Sequence, residues 1–151
     1  MEAKLKEFIE KGNLGLLNLG MKRLEIEQQL GKPEDWEVGK NDYQQSNIWK
    51  YGDIELHFKK DKLEMIFMDN FTNLAGGKNI KLDCWIINGK LTYQKAQQHF
   101  LSSSISFSTK SDVYNENGIF LVSSCNTILA FSGDAPELIY LRSVFRKLFC
   151  L

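Results

Sequence analysis

Proline and histidine are nearly missing from this chain, with 2 of each among 151 residues. So little proline, beside 11 glycines, excludes collagen-like and proline-rich linker sequences. Two isolated histidines, His57 and His99, do not make a ligand cluster, so no metal site is expected. The 3 cysteines, Cys84, Cys125 and Cys150, are odd in number, far apart and without a Cys-x-x-Cys pair. Zinc-ribbon and dithiol redox chemistry are thereby excluded, and reduced thiols in a cytoplasm are predicted, with Cys84 and Cys125 as small buried hydrophobes. No apolar run approaches the ~18 residues of a membrane-spanning helix, and the charge-alternating residues 1–8 lack the unbroken apolar stretch of a secretory signal. Nor is there an excess of either charge, since 19 basic residues balance 19 acidic ones. The electrostatic attraction that drives binding to nucleic acid or to anionic membranes is missing, and neither partner is expected.

What is present suits a single domain over 1–151, with 43% hydrophobic and 25% charged residues at globular proportions. Leu5, Phe8 and Ile9 have helical spacing and stop at Gly12-Asn13, a helix-ending signal. Met21, Leu24, Ile26 and Leu30 predict a second helix closed by Gly31 and Pro33, with Lys22, Arg23, Glu25, Glu27 and Gln28 on its outer side. The period then changes to two. Ile54, Leu56 and Phe58 point one way, and Asp53, Glu55 and His57 the other, as a half-buried strand requires. Tyr51-Gly52-Asp53 is turn chemistry after a strand over 48–51, and Lys59-Lys60-Asp61-Lys62 closes a hairpin onto 63–69. A loop over 73–79 leads to a further strand predicted over 80–88, and Thr92 is placed to cap a third helix that turns Ala96, Phe100 and Leu101 inward. Residues 119–123 and 127–131 read as another hairpin.

These segments read as one plan used twice. Met21 falls on Leu91, Ile26 on Ala96 and Leu30 on Phe100, and after one small insertion Phe58 falls on Phe131. A tandem copy normally buries its apolar face against its twin. The expected fold is therefore α+β: two helix-plus-antiparallel-meander repeats, about 15–75 and about 80–151, with helices packed on one face of a curved sheet. The C-terminal segment divides two signals. The repeat aligns 137–145 with 63–71 and favours a strand, whereas Leu138, Leu141, Phe145 and Leu148 have helical spacing and Asp134-Ala135-Pro136-Glu137 resembles a helix start.

The segment from Gly20 to Leu30-Gly31-Lys32-Pro33, with the string running from Trp49 through Tyr51-Gly52-Asp53-Ile54-Glu55-Leu56-His57-Phe58, resembles a family of small, mostly uncharacterised bacterial proteins. That family has a Gly-Met-Thr helix start, a Leu-Gly-x-Pro helix end and a Tyr-Gly-Asp-Ile-Glu-x-His-Phe strand. The tandem helix-and-meander plan is also similar to the repeat fold of the β-lactamase inhibitor protein and of small outer-membrane lipoproteins. This chain departs from the pattern where Lys22 stands in the Thr slot, and it has no lipidation cysteine near its start and no disulfide pair. The resemblance implies a curved sheet whose uncovered face grips another macromolecule.

Met65-Ile66-Phe67-Met68 is apolar on both strand faces, and so is 82–87, where Leu82, Cys84 and Ile86 oppose Trp85 and Ile87. Such a second face is either buried or offered to a partner. Trp49, Tyr51 and Trp85 are the candidate anchors, since aromatic residues are enriched at interface centres. Glu55 and His57 stand beside them as further partner-binding candidates. Asp53, Glu55 and His57 lie on one side of the strand with each about 6.8 Å from the next, too far for a direct triad. Ser102-Ser103-Ser104 and Ser123-Ser124 lack a nucleophile elbow, and Gly76-Gly77-Lys78 lacks a phosphate loop's spacing. The basic clusters, Lys59-Lys60-Asp61-Lys62 and Arg142, Arg146 and Lys147, fit a hairpin tip and a chain end. The function expected is a non-catalytic protein-binding module without cofactor, an immunity-type inhibitor of a bacterial toxin being one instance. The alternatives are a small-ligand binder or hydrolase-like enzyme using Asp53, Glu55 and His57, and a homodimer built on the apolar sheet face.

Overall fold

The structure, a computed structural model, describes residues 1–112, 117–132 and 138–144. Strand β1 (Glu2–Lys4) runs directly into helix α1 (Leu5–Lys11), which buries Leu5, Phe8 and Ile9 as their spacing predicts. Gly12 ends α1 in the left-handed conformation, φ 80°, from which its N–H donates to Phe8 O. Helix α2 (Arg23–Leu30) has no Ser, Thr, Asp or Asn at its start. Lys22 stands there and offers no acceptor, while the Glu25 carboxylate accepts from the Lys22 N–H at 2.7 Å. Ile26 and Leu30 are buried but Leu24 is 63% exposed, which corrects its inward assignment. Arg23, expected on the outer side, instead lies 4.5 Å from the Phe58 ring centroid and donates to Ser46 O.

Next come β2 (Asp35–Trp36), a 3-10 turn at Tyr43–Gln45, β3 (Ile48–Tyr51), β4 (Ile54–Lys59), β5 (Lys62–Met68) and β6 (Lys81–Asp83). Helix α3 (Tyr93–Ser102) follows, its start capped by Thr92 Oγ1, which accepts from Lys95 N–H at 3.3 Å. Strands β7 (Phe107–Ser111), β8 (Ile119–Ser123), β9 (Thr127–Phe131) and β10 (Leu138–Val144) complete the described elements. Leu101 was expected inward with Ala96 and Phe100, yet it is 69% exposed, because α3 turns only its Ala96–Phe100 side to the core.

Eight strands form one antiparallel sheet in the order β2-β3-β4-β5-β10-β9-β8-β7, while β1 and β6 make a separate parallel pair. Each of α2 and α3 precedes four of these strands, and β5 and β10, the last of each set, lie side by side at the centre. The chain is thus α+β, with three α-helices and a large antiparallel sheet among the described residues. No helix among them is long and apolar enough to cross a membrane.

Residues 138–144 are strand, because pairing to both β5 and β9 outweighs the helical spacing of a short apolar run. Phe145, Arg146, Lys147, Leu148 and Cys150, and the Asp134–Glu137 helix start, lie outside the described residues. The strand expected over 80–88 is corrected to β6 alone. Asp83 Oδ1 accepts from Trp85 N–H at 3.0 Å, Trp85 adopts φ 50°, and Ile87 N–H donates to Cys84 O, so the chain turns there.

The core lies where α1, α2 and α3 meet the sheet. Thr127 Oγ1 donates to Phe8 O at 2.9 Å, Tyr51 Oη donates to Gly31 O at 2.8 Å, and the Tyr93 and Phe100 rings meet Phe131 and Phe107 edge-on. The β3–β4 turn is held against the 75–77 loop so closely that a Cβ on Gly52, φ 58°, would lie 2.3 Å from Gly77 N. Only glycine fits there.

Candidate functional site

Pairing decides which strand residues share a face. The two-residue turn at Gly52-Asp53 sets Tyr51 opposite Ile54 and Trp49 opposite Leu56. Both aromatics therefore share the face of the core apolar residues. Trp49 is 1% exposed and Tyr51 0%, which corrects their assignment as surface anchors. Each spends its polar atom inside the fold. Trp49 Nε1 donates to Tyr43 O at 2.7 Å, and Tyr51 Oη reaches Gly31 O.

Asp53 belongs to the turn rather than to β4. Its carboxylate accepts from Asn70 Nδ2 at 2.8 Å and from Ala75 N–H at 2.9 Å, binding the turn to the following loop. The other two acid–base candidates do meet. Glu55 Oε2 lies 2.9 Å from His57 Nε2, and Glu55 Oε1 lies 2.8 Å from Lys50 Nζ on β3. The strand repeat separates the backbones of Glu55 and His57, but side chains this long close the gap, which corrects the expectation that they stand too far apart. Burial pushes the Glu55 carboxyl up, and its contacts with Lys50 and His57 outweigh that, holding it below the usual carboxylate value. The bond to Glu55 raises the Lys50 ammonium in turn.

From this pair a band of half-buried side chains crosses the sheet. Register places Glu55 beside Phe67, Phe67 beside Arg142, and Tyr140 beside Ala130, which neighbours Phe120. The His57 and Phe67 rings are 6.0 Å apart, Phe67 and Tyr140 5.7 Å, and Tyr140 and Phe120 6.2 Å. The Arg142 guanidinium lies 5.2 Å from the Tyr140 ring centroid. Arg142 Nε is buried and, among the described residues, has no hydrogen-bond partner. Burial raises the Tyr140 phenol above its ordinary value.

Trp85 lies elsewhere, on the loop after β6. It stacks at 16° on Phe100, with Lys6 Nζ 5.8 Å from its ring centroid, so its contacts are with α1 and α3. Among the described residues no hydrogen bond or ring contact joins it to the Glu55–His57 pair. Among the described residues no three His, Cys, Asp or Glu side chains gather as a metal site requires. Two shallow surface depressions, one lined by Leu16, Met21 and Glu25 among others and one by Leu101, Ile105 and Phe107, do not include Glu55 or His57. The pair stands half-buried on the sheet, apart from both depressions.

Lys50 and Tyr140 were not singled out by sequence reasoning, and Phe67 and Arg142 only as parts of an apolar run and a basic cluster. Alternation along β3 and β4 placed Lys50 with Glu55, but the β10 residues join the band only through long-range pairing with β5. No protein-family model, curated protein or solved structure matches this chain.

Proposed function

We propose that this chain is a non-catalytic protein-binding module made of two helix-plus-meander repeats, about 15–75 and about 80–151. Its helices cover one face of the sheet, and the other face, with Lys50, Glu55, His57, Phe67, Tyr140 and Arg142, engages a protein partner. The repeat reading is supported by the strand order, in which α2 and α3 each precede four strands of the large sheet that end at its centre. The one-sided helix layer is supported by the contacts of α1, α2 and α3, which reach Thr127, Tyr51 and Phe131, all core residues of the sheet.

The observation that carries the binding role is the half-buried aromatic band with an unsatisfied Arg142 Nε. Aromatic and arginine side chains, partly dry before contact, are what interface centres are made of. A broad sheet face with charged groups beside its aromatic band fits a folded protein surface better than a small molecule, which needs a concave site. A cytoplasmic immunity-type inhibitor that occludes a bacterial toxin is the instance proposed, in keeping with the resemblance to the β-lactamase inhibitor protein repeat. Co-expression with the product of the adjacent gene, followed by calorimetric titration, tests this. A complex weakened by Phe67→Ala and Tyr140→Ala is expected, and a complex indifferent to both would remove the sheet face from the function.

A further inference from the structure

Two leucines mark matching points in β5 and β10. Leu63 N–H donates to Met21 O at 2.8 Å and Leu138 N–H to Leu91 O at 2.9 Å, so each strand begins against the residue that stands two places ahead of α2 or α3. In both strands the next residue falls out of register. Glu64 lies between the His57–Met65 and Phe58–Leu63 pairs, and Ile139 between the Phe131–Leu138 and Ala130–Tyr140 pairs. Counted from these marks, Phe67 and Arg142 occupy the same place in their strands, and they face one another where β5 and β10 pair at the centre of the sheet.

That place suits the two side chains unequally. The row that crosses the sheet through them reads Lys50, Glu55, Phe67, Arg142, Ile128 and Val122, so Arg142 stands between an aromatic and an aliphatic neighbour. Phe67 packs on the rings of His57 and Tyr140. Arg142 has only the Tyr140 ring, 5.2 Å away. Among the described residues its half-buried guanidinium makes no hydrogen bond and no ion pair, and its Nε is shut off from water. Lys50 and His57, the cations at the other end of the row, are both engaged by Glu55. A position that accepts phenylalanine in one strand does not need a guanidinium in the other, and a half-buried charge without a counter-ion costs stability. A residue that breaks the local pattern and gains no partner inside the fold marks a site of use outside it.

We infer that Arg142 selects the partner of this face by pairing with a carboxylate, an Asp or Glu side chain that the partner presents among apolar ones. The inference rests on the reading of this face as a protein-binding surface and names the chemistry that the surface recognises. One unpaired guanidinium between Phe67 and Ile128 matches one carboxylate, whereas nucleic acid or another polyanion requires several cations in line. The planar guanidinium takes a carboxylate in two parallel bonds, with the Tyr140 ring behind it. The aromatic band then supplies contact area and Arg142 supplies discrimination, since a partner without the carboxylate would bury the charge unmet.

The complex with the product of the adjacent gene is titrated calorimetrically with the wild-type chain, Arg142→Met and Arg142→Lys. Arg142→Met should weaken it at least about ten-fold, and Arg142→Lys, which keeps the charge and loses the fork, should fall between the two. The wild-type complex should loosen as sodium chloride rises from ~0.1 to ~1 M and the screening length shrinks from ~10 to ~3 Å, with the Arg142→Met complex responding less. In the free chain the urea midpoint of Arg142→Met should equal or exceed that of the wild type, because no internal bond is lost. A loss of free-chain stability as large as that of Phe67→Ala would overturn the inference, the arginine then being packing. A complex sensitive to Phe67→Ala and Tyr140→Ala yet indifferent to Arg142→Met and to salt would overturn the inference and leave the binding face standing, whereas no complex at all removes that reading and the inference with it. A wild-type chain that sediments as a dimer lost in Arg142→Met would put a second copy in the partner's place, and this too would overturn it.

Discussion

Glu55 and His57 stand two residues apart on β4, and their side chains touch, Oε2 to Nε2, at 2.9 Å, with Lys50 closing on the other carboxylate oxygen. A pair expected to be separated by the strand repeat is thus a charged knot at one end of the aromatic band. The knot has a pH consequence with a definite sign. Glu55 titrates below its ordinary value in the folded chain, so its contribution is present above that value and is lost as the pH falls through the folded one. Because the group is half-buried and solvent still screens its ion pairs, the contribution is about 0.5 kcal/mol. Urea unfolding between neutral and acid pH should show Glu55→Gln less stable than wild type at neutral pH, the two converging in the carboxylate range. A constant gap across that range would remove the knot as its cause.

Trp49 serves stability, not recognition. It is buried against Tyr43, Phe58 and the Arg23 guanidinium, and its indole N–H satisfies Tyr43 O. Trp49→Ala should cost about 3–5 kcal/mol in chemical unfolding, combining a cavity with the loss of one of the two hydrogen bonds that Tyr43 O accepts, the other coming from Ser46 N–H. Trp49→Phe keeps most of the packing and loses the bond, so it should cost less than Trp49→Ala. A near-neutral Trp49→Ala would contradict its place in the core.

Helix α2 begins on a residue unable to cap it, since Lys22 is exposed and carries no acceptor. Lys22→Thr gives the helix the bond that Thr92 gives α3 through Lys95 N–H. The substitution should stabilise the fold by about 0.5–1 kcal/mol, and Thr92→Ala should destabilise it by about 1 kcal/mol. Unfolding midpoints of the two variants moving in the same direction would refute this account of the caps.

These cases separate what local pattern carries from what it does not. Ile54, Leu56 and Phe58 declared their face by alternation, and residues 119–123 and 127–131 their hairpin, because a strand with one wet side repeats every two residues. The burial of Trp49 and Tyr51 was also legible: a two-residue turn at Gly52-Asp53 already pairs them with Leu56 and Ile54. The residues over 80–88 misled because apolar content alone does not make a strand once Asp83 bends the chain back on Trp85. Strand β7, Phe-Ser-Thr-Lys-Ser, carries almost no apolar signal and forms because β8 offers it a ladder. The aromatic band was hidden for a different reason. Phe67 and Tyr140 are distant in sequence and meet only through the β5–β10 register, a tertiary choice that no window of neighbouring residues contains.

The face that carries the aromatic band makes the sharpest demand on experiment, since binding and stability must be pulled apart there. Phe67 and Tyr140 are only half-buried, so their truncation removes less core than loss of Trp49 does. Phe67→Ala and Tyr140→Ala should each weaken a partner complex by about 2 kcal/mol while lowering stability less than Trp49→Ala. Arg142→Gln, which removes the guanidinium facing Tyr140, should weaken it as well, whereas Trp85→Ala, packed on Phe100 away from the band, should leave affinity unchanged. Calorimetry on the complex, with unfolding curves of the free variants alongside, reads both quantities. If Trp85→Ala abolishes binding while the sheet variants retain it, the docking surface lies over α1 and α3, and the aromatic band is packing alone.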